Sequence, residues 1–264
     1  MMSQQQKQLK IILIGDSCYD KTHFGHVNRL SPEAPIPIVD YNYTTINDGM
    51  TSNVYKNFIN LGFNSKNIFL YTHFYEEKER FIDIKTSQQL LRVDREISSE
   101  PVSNKIPENL NEYDAIVISD YNKGLVDYDM IQNLRNKFNG PIFVDSKKPD
   151  LAKFKNCILK INNTEWENRI SNPIESDVIV THGGDKVCLM QNSKMQIFYP
   201  PKVETYDACG CGDTFLASLV FWYLKTNGDM VTAINYAMDA AAITIQHIGV
   251  YAPEYKEIIN EKNN

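Results

Sequence analysis

The chain has 264 residues, of which 42% are hydrophobic and 23% charged, a globular composition that excludes intrinsic disorder; 12 Gly and 11 Pro exclude collagen-like and low-complexity sequence. That length fits one large α/β domain or two small ones. Lys plus Arg number 27 against 33 Asp plus Glu, a net charge of −6, so the chain is not built for broad capture of nucleic acid and an anionic ligand must meet local cations.

The start, MMSQQQKQLK, is polar, and the apolar run at 11–15 is too short for a signal-peptide core. No apolar stretch approaches the roughly 18 residues of a membrane span, so no membrane partner is expected. Cys18, Cys157, Cys188, Cys209 and Cys211 form no disulfide framework, and reduced thiols in a cytoplasmic protein are the expectation. Cys209 and Cys211 read either as a metal or redox pair or as two small residues in a glycine loop.

In chain order, apolar β-rich runs at 11–15, 115–120, 141–145, 157–162 and 178–181 read as buried parallel strands. Between them lie helical spacings: Val54, Phe58 and Leu61, then Met130, Leu134 and Phe138. This alternation predicts an α/β fold with a mostly parallel sheet. Segments 35–46 and 80–94 break the alternation and read as a small β lid outside that sheet. Helices are expected at 212–224 and 230–247, and a short surface helix after Pro253. With no repeat and no long linker, residues 1–264 are expected to form a single domain.

In open α/β sheets ligands bind beyond the carboxyl ends of the strands. Polar clusters follow four of the strands here: Gly15-Asp16 with Asp20, Asp120 to Gly124, Asp145 to Lys147, and Asn162 to Glu165. Each is open to reading as a helix cap or turn. The densest signal is Asp207-Ala208-Cys209-Gly210-Cys211-Gly212-Asp213-Thr214, directly before an apolar helix. Small residues let backbone approach a ligand, and a helix N-terminus offers unpaired N–H groups to an anion. On spacing alone, Asp213 is equally a helix cap or a base for an attacking hydroxyl.

Gly210-Cys211-Gly212-Asp213 resembles the Gly-Ala-Gly-Asp signature of the PfkB, or ribokinase-like, carbohydrate kinases. Gly49-Met50-Thr51-Ser52-Asn53 resembles that family's Gly-Gly-Ala-Ala-Asn, and Asn162-Asn163-Thr164-Glu165 its Asn-x-x-Glu motif. Longer strings, Arg29 to Pro37 (RLSPEAPIP), Gln88 to Asp94 and Ser119 to Gly124, resemble the heptose-7-phosphate kinase branch, which serves ADP-heptose synthesis. The resemblance spans almost the whole chain.

It implies a three-layer α/β sandwich with a β lid, and transfer of a phosphoryl group from ATP, with Mg2+, to the anomeric hydroxyl of a heptose 7-phosphate. Asp213 would be the base, with the amides of Gly210, Cys211 and Gly212 receiving the charge. Asp16, Asp20, Gly49, Asn53, Gln89, Arg92, Asp120 and Lys123 would serve the sugar phosphate, with Lys78, Arg80 and Lys147 as further cations. Asn162 and Glu165 would stand in a water-mediated magnesium shell, and Lys147, Thr181, His182, Gly183, Gly184 and Asp207 by the nucleotide. A lid with exposed strand edges makes a homodimer the expected state. No stretch resembles the nucleotidyltransferase that often accompanies such a kinase, so a later adenylyl step would fall to a separate protein.

The sequence departs from the family pattern at Met50, Cys211 and Lys186, and a strand–helix segment of the family is shortened between Ile68 and Arg80. That shortening keeps two alternatives in view: a kinase for another sugar or a nucleoside, and a sugar-binding or regulatory relative without catalysis.

Overall fold

The computed structural model describes residues 8–97 and 105–263, in which ten strands join in one sheet with helices on both faces. The first strand, β1 (Ile11–Leu30), opens with Ile11, Ile12, Leu13 and Ile14, all fully buried. Successive side chains alternate between the two faces of a strand. Ile11 and Leu13 therefore join one core with Ala115 and Val117 of β5 (Ala115–Asp120), while Ile12 and Ile14 join the other with Ile116 and Ile118. Burying each such side chain is worth about 1.5–3 kcal/mol, which is why a strand apolar on both faces settles between two helical layers.

The parallel part of the sheet runs β8 (Asp177–Thr181), β7 (Ile158–Asn162), β6 (Ile142–Ser146), β5, β1, β3 (Ile68–Asp83). Beyond β8, β9 (Val187–Gln191) and β10 (Lys194–Phe198) add on antiparallel. On one face lie α1 (Thr51–Asn60), α4 (Cys211–Lys225), α5 (Met230–Thr244) and α6 (Tyr255–Asn263); on the other lie α2 (Tyr128–Lys137) and the short α3 (Asn163–Glu167). The fold is thus the expected ribokinase-like α/β arrangement. The helix expected at 230–247 stops at Thr244, where the chain turns towards Gly249.

The lid differs most from its sequence pattern. It is built from four strands, not from two isolated segments. Beyond Gly15, β1 leaves β5 and pairs instead with β2 (Pro37–Met50) from Ser17 to Leu30. The far half of β3 runs beside it and carries β4 (Gln89–Glu96) on its outer edge. The stretch from Ile68 to Arg80, read as shortened, is one unbroken strand that passes from core sheet into lid. Both long strands share one irregularity, at Ser17/Cys18 of β1 against Phe74 and Glu76 of β3. The sheet's core edge ends at β3, and β2 feeds straight into α1.

Candidate active site

Strand order reverses between β1 and β5: the chain leaves β1 for β3 on one side and returns to β5 on the other. Such a switch point opens a crevice beyond the strand ends. Asp16, at the end of the buried part of β1, reaches across it, where its Oδ2 accepts from the backbone N–H of Tyr121 (2.9 Å) and of Lys123 (3.1 Å). Its Oδ1 is buried with no hydrogen-bond partner among the described residues. Burial raises the Asp16 carboxyl above its ordinary value, against the pull of the Lys123 amide. A buried carboxylate oxygen left unpaired is costly, so this atom marks a place for a ligand's donor.

Helix α4 begins at Cys211 with Gly210 as its N-cap at φ 77°, a left-handed conformation suited to glycine. Asp213 lies in the first turn and is only 6% exposed. Its Oδ2 accepts from Asn53 Nδ2 of α1 (2.9 Å) and its Oδ1 from the Tyr121 hydroxyl (2.8 Å). Burial pushes this carboxyl up to about 6, against the two hydrogen bonds and the Lys160 charge, while Asp145 adds to the rise. Of the expected loop amides, that of Cys211 leans on Ala208 O at 3.4 Å. Asp207 ties the loop down, accepting from the N–H of Cys209 and of Gly249, both at 2.9 Å.

The lid and the turn after β5 bring the cations, each already with an acid. Arg80 donates to Asp20 (2.5 Å), and Gly49 sits so close that a Cβ there would fall 2.2 Å from Asp20 Oδ2. Arg92 lies opposite Arg80 across β3 and β4 and grips Asp94 with two N–H groups (2.7 and 2.8 Å). Lys123 and Lys78 share the Glu76 carboxylate (2.8 and 2.9 Å), whose ionised form they favour against the cost of burial. Gln89 is exposed on β4.

Asp120 stands apart from this group. Its carboxylate is buried under the strand ends and accepts from the Asn122 amide, the Ser146 hydroxyl and Lys148 Nζ (2.8, 2.6 and 2.8 Å).

Asn162 and Glu165, expected beside the nucleotide, form a reciprocal capping box on α3. Glu165 accepts from the Asn162 amide and side chain, both at 2.8 Å, and pairs with Lys147. Thr181 ends β8, and Gly183 turns at φ 57° between His182 and Lys186.

Two residues that the sequence pattern did not single out belong with these. Lys160 of β7 is 5% exposed, pairs with Asp145 at 2.6 Å and lies 3.2 Å from where a Cβ on Gly212 would be. Burial opposes its charge, but Asp145 outweighs that and holds the ammonium above the usual lysine range. A lysine inside an otherwise apolar strand was the signal that could have found it. Lys160→Met leaves the Asp145 carboxylate without its cation and is expected to cost about 3 kcal/mol, read as a lower urea midpoint. The second is Tyr121, whose hydroxyl reaches Asp213.

Residues 158–257, which hold Asn162, Glu165 and the α4 loop, match the pfkB family carbohydrate kinase profile. Among relatives, it is 28% identical to "Bifunctional protein HldE" of Helicobacter acinonychis (strain Sheeba), over 94% of this chain and 65% of that one. It is also 28% identical to the protein of that name from Campylobacter curvus (strain 525.92), over 96% of this chain and 64% of that one. It therefore spans just under two thirds of the length of these curated relatives. Its fold is like that of ribokinase from Thermotoga maritima (TM-score 0.70, 16% identity, 97% of this chain and 100% of that one). Phosphofructokinase-2 from Escherichia coli is similar to the same degree (TM-score 0.71, 13% identity, 97% and 98%).

Proposed function

We propose that this protein transfers the γ-phosphoryl group of ATP to the anomeric hydroxyl of a heptose 7-phosphate, the step that feeds ADP-heptose synthesis. The observation that carries the reading is Asp213: a buried carboxylate in the first turn of α4, hydrogen-bonded from both sides and raised to about 6. A base with that pKa is largely ionised at neutral pH yet basic enough to receive a proton. Asp213 orients the attacking hydroxyl and takes its proton. The amides at the α4 N-terminus, with the helix dipole behind them, meet the charge on the transferred group.

The unpaired Oδ1 of Asp16 accepts from a sugar hydroxyl, and Asp20 lies beside Gly49 to accept another. The 7-phosphate belongs at the lid, where Lys78, Arg80, Arg92 and Lys123 stand together. Their existing acid partners lower the cost of grouping four cations and leave donors for the phosphate. The names of the HldE relatives and the RLSPEAPIP string support this substrate over a simple sugar.

Magnesium that keeps most of its waters needs only one or two carboxylates besides the nucleotide's phosphates. Among the described residues no cluster of three or more His, Cys, Asp or Glu stands ready to hold a bare ion. Asn162 and Glu165, hydrogen-bonded to each other, fit such a water-shelled ion, which would neutralise phosphate charge when bound. ATP consumption measured with heptose 7-phosphate, fructose 6-phosphate, ribose and a nucleoside tests the reading. Turnover is expected to be fastest with heptose 7-phosphate; faster turnover with an unphosphorylated sugar would overturn the substrate.

A further inference from the structure

Each oxygen of Asp213 already accepts one hydrogen bond, one from Asn53 and one from Tyr121, which leaves one acceptor position on each. An acceptor hydroxyl has to donate to this carboxylate before it can lose its proton to it. The two donors already there are unequally held. Asn53 is wholly buried on α1, and its side-chain oxygen accepts from Asn57 Nδ2 at 3.3 Å, which fixes the amide so that its N–H faces Asp213. Tyr121 is only partly buried and rides on the turn after β5, where Asn122 has φ 58° and Gly124 φ 120°. That turn is tethered to the core by the Asp16 carboxylate through the amides of Tyr121 and Lys123. The ring also lies between the two ligand sides, with Lys147 Nζ at 5.4 Å and Lys78 Nζ at 5.9 Å from its centroid.

We propose that Tyr121 is a positioning residue that holds Asp213 in one orientation while the sugar site is empty and gives way to the acceptor hydroxyl when the sugar binds. The proposal rests on the reading of Asp213 as the base. It makes Asp16 a sensor as well as a ligand: the carboxylate with the unpaired oxygen for the sugar is the one that anchors the Tyr121 turn.

The hydroxyl's removal has a definite sign. Donation to a carboxylate favours its charged form, so Tyr121→Phe raises the Asp213 pKa further. The other groups facing Asp213 are Asn53 from α1, Cys18 from β1, Asp145 from β6, Lys160 from β7 and Cys211 beside it on α4. Cys18 is pushed up to about 12 by burial, so it stays neutral, and Asp145 and Lys160 remain paired to each other in the variant.

The test compares pH–rate profiles of wild type and Tyr121→Phe with ATP and heptose 7-phosphate. The acid limb of kcat/KM reports the free enzyme and that of kcat the bound complex. The kcat/KM limb is expected to move up by about one pH unit, the size of one hydrogen bond to a charged group. The kcat limb stays in place because the sugar has already displaced Tyr121 in wild type. Movement of both limbs together would mean that Tyr121 keeps its bond in the complex, and movement of neither would remove its positioning role; both overturn the proposal.

A 13C-carboxyl NMR titration of Asp213, assigned against Asp213→Asn, reads the same shift without turnover. If heptose 7-phosphate is not turned over, the substrate reading fails, while this titration still decides the link between Tyr121 and Asp213. Should Tyr121→Phe fold poorly, the 13Cζ resonance of Tyr121 in wild type is followed as heptose 7-phosphate is added. It is expected to move, and an unchanged resonance would overturn displacement.

Discussion

Asp213→Asn is expected to lower kcat by about 10²–10⁴-fold, the usual value of general-base assistance, with the sugar's KM close to wild type. The substitution is nearly isosteric, and its neighbours can adapt: the Tyr121 hydroxyl, now a donor to Oδ1, can turn to accept from the new amide. Folding is therefore preserved and the loss falls on proton transfer. In wild type the same carboxyl is expected to fix the pH dependence. Below about pH 6 it is protonated and cannot accept the hydroxyl proton, so the rate falls on the acid side and reaches a plateau above it. Steady-state kinetics over roughly pH 5 to 8, the window that brackets this pKa, check both predictions. Full activity in Asp213→Asn would remove the residue from catalysis.

The second large effect is expected at Gly15, where fold and site meet. A Cβ there would lie 1.9 Å from the Ser119 carbonyl oxygen and 2.4 Å from Thr51 Oγ1, which itself donates to that carbonyl at 3.0 Å. Neither the β5 backbone nor the first residue of α1 can move aside without separating β1 from its neighbours. Overpacking a core typically costs about 1–3 kcal/mol, and a collision with backbone belongs at or above the top of that range. Gly15→Ala is expected to show a strongly reduced soluble yield or urea midpoint. Its activity should fall with it, because the displaced segment carries Asp16 across to Tyr121 and Lys123. Wild-type stability in this variant would contradict the close approach of β1 and β5.

The buried strands were legible because they are apolar on both faces: 11–15 and 115–120 announce themselves without reference to anything distant. The lid was legible only in part: segments 35–46 and 80–94 announced it, but the far halves of β1 and β3 that carry it did not. From Lys21 onward β1 carries polar and apolar residues with little burial on either side, so the strand is held by its pairing with β2 and β3, and pairing leaves little mark on a single sequence. Strand β10, exposed along nearly its whole length, escaped notice likewise. The glycine loop and Asp213 were legible as a motif, but the partners of Asp213 come from 160 and 92 residues away and depended on the fold to bring them in. Asn162 and Glu165 carried two meanings in one pattern, and the capping box is the one their own hydrogen bonds satisfy.

The unbroken passage of β1 and β3 from core into lid has a mechanical side. No loop separates the two parts on these strands, so the lid is not free to swing as a flap on a string. Any opening must flex both strands at once, at the irregularity they share beside Ser17 and Cys18. Asp16 lies on the fixed side of that joint and Asp20 on the travelling side, so a sugar held by both carboxylates would work like a key across a hinge, stiffening the joint by being there.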